Sequence, residues 1–431
     1  MEKLDEGFVF INHEDATETK PVEPGYLRQI SDFVDGVVEE LWAVNKTIHD
    51  NPELGYKEFI AHETLTKFMS SRPGWEVTPS AYGLATAWVA VFDSGRKGPV
   101  VSFNVEMDAL EGIGHACGHN LIATASVAGG LAVGGILRQG ELGGKVVLFG
   151  TPAEEGGGGK IKLLEAGAYR DYKVDINLLS HPGITKNHAL MRTSAYTAFK
   201  VEYFGREAHA AANPWLGINA LDALITAYNA ISVLRQQTMP GDVIQGNITD
   251  GGLRPNIIHA YTAGNFVVRA DTQSRVGELK KKVNACFEAG AAATGARLQM
   301  TPVQAYADHV PNRLLADRYR EHFNQLSPPD PIPNNPEVDE IEGRTMASTD
   351  QGNISYAMPS LNVGFSIPAG PGGAGPHNPG FAEAAGTRLA FENALRVGKA
   401  MAATGVDVLG DAGLLREVKR RWREDVRRDS T

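Results

Sequence analysis

At 431 residues, with 42% hydrophobic, 21% charged and 8% aromatic side chains, the chain has ample apolar material for a core, which excludes disordered and fibrous classes. Its length suggests two or three domains at roughly 150 residues each. The 48 glycines follow no three-residue period, so they imply turns and not collagen, and 51 acidic against 41 basic residues leave a net charge of −10 that disfavours nucleic acid as a partner.

Residues 1–24 are polar and without pattern, and are expected to form a loose tail. From 26 to about 50, Ile30, Phe33, Val34, Val37, Val38, Leu41, Val44 and Ile48 recur at helical spacing. Asn51-Pro52 ends this helix, because proline disfavours a helical predecessor. A second helix is expected near 57–71. Short apolar runs at 86–92, 100–105, 145–149 and 174–179 read as buried strands, with a Gly/Ala-rich helix at 120–138 between the second and third. Such alternation predicts an α/β domain built on a largely parallel sheet.

The pattern changes near 195. An alternating strand at 195–204, a helix at 219–237, extended stretches at 243–249 and 257–270, a charged helix at 274–294 and a strand at 297–301 follow in turn. This is the order of a split βαβ, ferredoxin-like α+β unit. The expected organisation is a tail over 1–24, a main domain over 25–192 and 306–431, and an inserted domain over 193–305. The C-terminal helix carries seven basic residues between Arg416 and Arg428, interleaved with acids, and reads as a solvated face.

Two cysteines, Cys117 and Cys286, cannot make a disulfide framework. The N-terminus lacks the positive charge of a secretory signal. The longest apolar stretch, 121–137, is broken by four glycines and falls short of the roughly 18 residues that a membrane span needs. A cytoplasmic protein without a membrane partner is expected.

Four short segments concentrate metal-binding side chains. Gly114-His115-Ala116-Cys117-Gly118-His119 follows a predicted strand, and its turn lets Cys117 and His119 bend toward one ion. In Ala153-Glu154-Glu155-Gly156, adjacent carboxylates in extended chain point to opposite sides, so one can ligate metal while the other serves as base to an activated water. His181 and His377 follow two further strand-like runs. The ends of parallel strands are where open α/β sheets place their sites. Five candidate ligands, Cys117, His119, Glu155, His181 and His377, exceed the need of one tetrahedral ion and suggest a pair, with thiolate, imidazole and carboxylate favouring zinc over manganese or cobalt. The glycines around 112 and 156 match neither a dinucleotide fingerprint nor a Walker loop. His49, His62, His115, His188 and His259 read as packing, surface or supporting residues.

These segments, together with Glu106-Met107-Asp108-Ala109-Leu110, Ala208-His209-Ala210, Pro214-Trp215-x-Gly217-x-Asn219, Gly252-x-x-Pro255-Asn256 and Ser348-Thr349-Asp350-x-Gly352-Asn353, resemble peptidase family M20 in order from about 26 to 405. The nearest likeness is to the amidohydrolase branch that holds Xaa-Arg-type dipeptidases and p-aminobenzoyl-glutamate hydrolases. The resemblance implies a largely parallel-sheet zinc-peptidase domain carrying an inserted lid that also makes a homodimer. It implies two Zn2+ ions on Cys117, His119, Glu155, His181 and His377, with Glu154 as general base and Asp108 as an acidic residue beside the metals. His209 is implied to reach across the dimer to the scissile carbonyl, and Asn256 and Arg269 to hold the substrate carboxylate. Asn120 and Glu106 stand where many amidohydrolases of the family have aspartate, and neither departure removes a ligand. The implied activity is hydrolysis of the amide bond of a dipeptide or N-acyl amino acid. Amide synthesis on a dedicated metabolite, or an inactive binding dimer, are the alternatives.

Overall fold

The computed structural model describes residues 25–429, so the tail expected over 1–24 lies outside the described residues. The strands are β1 (Trp75–Pro79), β2 (Trp88–Asp93), β3 (Val100–Glu106), β4 (Lys145–Thr151), β5 (Ile176–Gly183), β6 (Ala195–Phe204), β7 (Val243–Asp250), β8 (Tyr261–Ala270), β9 (Arg297–Tyr306) and β10 (Ser360–Ser366). Six of them form one sheet in the order β1-β2-β4-β3-β5-β10. β3 pairs in parallel with β4 and β5, and β5 with β10, while β2 alone runs against its neighbours. The sheet is therefore largely parallel, as the alternation predicts. Every residue of β3 is buried, the mark of a strand covered on both faces.

The helix His119–Arg138 packs on this sheet and against the helix Arg388–Gly410. Its glycines permit the close approach: a Cβ at Gly129 would lie 2.8 Å from Phe103, and one at Gly130 2.5 Å from Leu148. At 20 residues it is long and apolar enough to cross a membrane, which corrects the sequence estimate of its length. It is 94% buried inside the protein as a core helix. The first expected helix is two, Gly25–Asp35 and Val38–Asp50, because Gly36, a weak helix former, and Val37, with non-helical dihedrals, interrupt it. β5 runs four residues beyond its expected end, since pairing with β10 carries it through His181 to Gly183. β1 has no counterpart among the predicted strands, because its polar residues hide its alternation.

The second sheet has the order β7-β8-β6-β9, antiparallel throughout, with the helices Ala220–Leu234 and Gln273–Thr294 packed against it. This is the arrangement of a ferredoxin-like unit. β6 alternates strictly, and its inward residues Phe199, Val201 and Tyr203 join Phe266, Val268, Leu279 and Phe287 in a core separate from that of the main sheet.

Candidate metal centre and cleft

The five ligand candidates gather at the C-terminal ends of β3, β4, β5 and β10. Cys117 and His119 flank Gly118, whose φ of +78° turns the chain into the helix His119–Arg138. Glu154 and Glu155 follow β4, just after Ala153, held at φ +54°. His181 lies within β5, and His377 sits in the loop after β10 at φ +64°, with its N–H bonded to Ala116 O at 2.8 Å. Strained non-glycine backbone at two of these positions is the kind of cost that concentrates at functional sites.

Donor atoms of Cys117, His119 and His181 lie within 4.8 Å of one another, as do those of Cys117, Glu155 and His377. Cys117 Sγ is 3.3 Å from His181 Nε2, His377 Nε2 is 3.3 Å from Glu155 Oε1, and His119 Nε2 is 3.9 Å from Glu155 Oε1. Four ligands at zinc bond lengths around a tetrahedral ion stand about 3.3–3.8 Å apart, so these separations fit. The ring orientations fit too. His119 Nδ1 donates to Asp108 Oδ1 at 3.1 Å and His181 Nδ1 to the Pro182 carbonyl at 2.9 Å, which turns each Nε2 inward. His119 Nε2 is buried without a hydrogen bond of normal geometry. Asp108 Oδ2 also accepts the Glu155 N–H at 2.9 Å. Asp108 thus stands beside the ligand candidates, as the resemblance implies, and its two oxygens align His119 and Glu155.

The electrostatics favour a cation. Burial disfavours charge on His119, yet Asp108 and Cys117 together more than offset it and hold the imidazole well above its ordinary pKa. The surrounding acids therefore draw a proton as they would draw a metal. Burial pushes the Cys117 thiol up, so an incoming metal has to displace a proton to gain the thiolate. Burial, and then the Glu106 carboxylate, push Glu154 well above the usual carboxylate range, toward a group able to accept a proton at neutral pH.

Behind Glu154 lies an arrangement that local sequence does not reveal. Lys160 is fully buried, its Nζ 2.7 Å from Glu106 Oε1 and bonded to Asp350, while its backbone N–H donates to Asp350 Oδ2 at 2.9 Å. Glu106, Glu154 and Asp350 present oxygens within 4.8 Å of one another. The Lys160 ammonium supplies positive charge there, which makes this group an ionic cluster and not a further metal site. A lysine after four glycines carries no sequence signal of burial. Asp350 stands in one of the family-like motifs, to which the resemblance attached no role.

A cleft of about 800 Å³ opens over the centre, lined by Cys117, Glu154, Glu155, His181 and His377 on one side and by Tyr196, Arg269 and Tyr306 of the second sheet on the other. Tyr306 hydroxyl donates to Glu154 O at 2.7 Å and accepts from Gly158 N–H at 3.0 Å, tying β9 to the glutamate loop. Arg269 is fixed on the cleft wall by Met346 O at 2.6 Å and by the Ser348 hydroxyl at 2.6 Å. His209 and Asn256 are not in the cleft of their own chain. Both are exposed, on loops joined by a bond from Ala210 N–H to Asn256 O at 3.1 Å.

Fold and donor set define a metal-binding α/β hydrolase. The profile of peptidase family M20/M25/M40 matches residues 99–390, and the chain belongs to that family. It is 36% identical over 428 residues to the Xaa-Arg dipeptidase of Mus musculus, covering 94% of this chain and 96% of that protein. It is 29% identical over 326 residues to one of the p-aminobenzoyl-glutamate hydrolase chains of Escherichia coli K12, covering 70% of this chain and 67% of that one. Among solved structures, a dinuclear metal-binding peptidase of family M20 from Bacillus subtilis shares the fold, with a TM-score of 0.66 over 87% of this chain and 99% of that chain at 18% identity.

Proposed function

We propose that this protein hydrolyses the amide bond of dipeptides or N-acyl amino acids with zinc as its metal, and that it prefers a basic C-terminal residue, as the name of its dipeptidase relative suggests. The observation that carries the reading is the convergence of one thiol, three imidazoles and the Glu155 carboxylate beside Glu154, with all but the buried His119 lining one cleft. Divalent cations bound there would supply a water of lowered pKa and an electrophile for the carbonyl oxygen.

Glu154 takes the proton of the attacking water and delivers it to the leaving nitrogen. Its burial suits it to both halves of that task. Asp108 keeps His119 and Glu155 aligned through the cycle. Arg269, held rigid by its bonds to Met346 and Ser348, offers a fixed cation for the substrate's terminal carboxylate, so little freedom is lost on binding.

The second sheet acts as a lid and a dimer contact in this reading. β7 is an edge strand, and the loops bearing His209 and Asn256 also expose Trp215 at 76% and Leu253 at 88%. A partner chain docking there would receive His209 at its own cleft, which accounts for its absence from the cleft of its own protomer.

The test is a panel of dipeptides and N-acyl amino acids offered to chelator-treated protein with and without zinc or manganese, with sedimentation read alongside. Metal-restored hydrolysis, strongest on basic C-terminal residues, and a two-chain mass are expected. Failure on every amide would overturn the activity, and a single-chain mass would remove the dimer.

A further inference from the structure

At the cleft end adjoining His181, three polar side chains stand unpaired or half-paired. Glu342 closes the helix Pro336–Glu342 and lines the cleft. Its Oε1 lies 3.0 Å from Nζ of the exposed Lys186, while Oε2 is buried with no hydrogen-bond partner among the described residues. The neighbouring Arg344 is engaged by Asp271, so it does not turn back to satisfy Glu342. A carboxylate oxygen shut away from water without a donor is costly, and such a group calls for an explanation.

His188 packs beside it, laid over β10 so closely that a Cβ at Gly364 would fall 2.0 Å from Nε2, and one at Gly343 3.0 Å from Cδ2. Its Nδ1 is 2.9 Å from the Lys186 carbonyl, which only accepts, so Nδ1 carries the hydrogen and Nε2 is left as an acceptor. Burial holds the imidazole below its ordinary pKa, in its neutral form. Asn362, two residues before Gly364 and on the same strand face, is buried with neither Oδ1 nor Nδ2 hydrogen-bonded among the described residues. The register places Gly364 beside His181, which sets this corner one strand away from a ligand candidate.

Glu342 Oε2, His188 Nε2 and Asn362 Oδ1 give this corner three acceptors, with the Asn362 amide as an unpaired donor beside them. An alkylammonium brings three N–H donors and a guanidinium five, each with a positive charge to meet the carboxylate. We propose that Glu342, with His188 and Asn362, forms the subsite that receives the cationic side chain of the substrate. The proposal rests on the hydrolase reading above and gives its preference for basic residues a named carboxylate.

The test compares wild type with Glu342→Gln and Glu342→Lys, each checked for bound metal and cooperative unfolding, on alanyl-arginine and on alanyl-norleucine, its uncharged counterpart. The ratio of kcat/KM for the two substrates is expected to fall about tenfold or more in Glu342→Gln, mainly through KM, and further in Glu342→Lys. An unchanged ratio would overturn the subsite. Equilibrium binding of free arginine and free norleucine to the zinc-loaded protein separates this proposal from the activity. Glu342-dependent preference for arginine in a protein that cleaves neither dipeptide sustains the subsite and sinks the hydrolase reading. Equal binding of both amino acids sinks the subsite whatever the turnover.

Discussion

Replacing Glu154 with glutamine is expected to lower kcat by roughly 10²–10⁴-fold while metal content and melting temperature stay near wild type. The amide is nearly isosteric, so the strained turn at Ala153 and the bonds of Tyr306 to Glu154 O and Gly158 N–H persist. What is lost is the carboxylate that lines the cleft beside the ligand set without being counted among the metal ligands. Because the group serves attack and departure alike, kcat and kcat/KM fall together. Steady-state kinetics on the best panel substrate, with metal analysis of the same preparation, reads this directly. Turnover within a few-fold of wild type removes Glu154 from the proton-transfer role.

The second large effect is on stability. Lys160→Met leaves the Glu106 and Asp350 carboxylates, each about 1% exposed or less, without their shared cation. Removing one member of a buried ion cluster typically costs about 3–5 kcal/mol. For a chain of this size that corresponds to a fall in Tm of roughly 3–6 °C. The pH dependence has a definite sign. Burial already raises Asp350 to about 6 even with Lys160 bonded to it, so the folded state holds that proton more tightly than the unfolded chain does. Stability tied to such a group falls as pH rises from the unfolded carboxyl value through the folded one. Without the ammonium the folded value climbs further, and the deficit of the variant is therefore expected to be larger at pH 8 than at pH 5. Thermal unfolding in the presence of chelator at both pH values checks this. An equal deficit at the two pH values would contradict a charge-compensating role.

Much of this molecule is legible from local pattern. The strand and helix runs of the main sheet, the βαββαβ order of the insert and the turn that bears Cys117 and His119 all depend on spacing within a few residues, which a sequence displays. Features that are not legible arise where distant segments meet. Lys160 is buried only because Glu106 from β3 and Asp350 from a loop nearly 200 residues later close around it. Glu342 and Asn362 carry no local signal in the sequence, and only the folded cleft brings them together with His188. The extension of β5 through His181 is likewise an outcome of tertiary pairing, with β10, that local propensity does not display. His209 and Asn256 show the converse: their motifs stand out in the sequence, yet one chain alone does not bring them to the cleft.

The most direct test of the central claim is anomalous diffraction at the zinc edge from crystals of the zinc-loaded protein. Two peaks per chain are expected, about 3.5–4 Å apart, bonded by Cys117, His119, Glu155, His181 and His377 and with the Glu154 carboxylate beside them. Zinc bound elsewhere, or those six side chains turned away from any common ion, would contradict the account at its root.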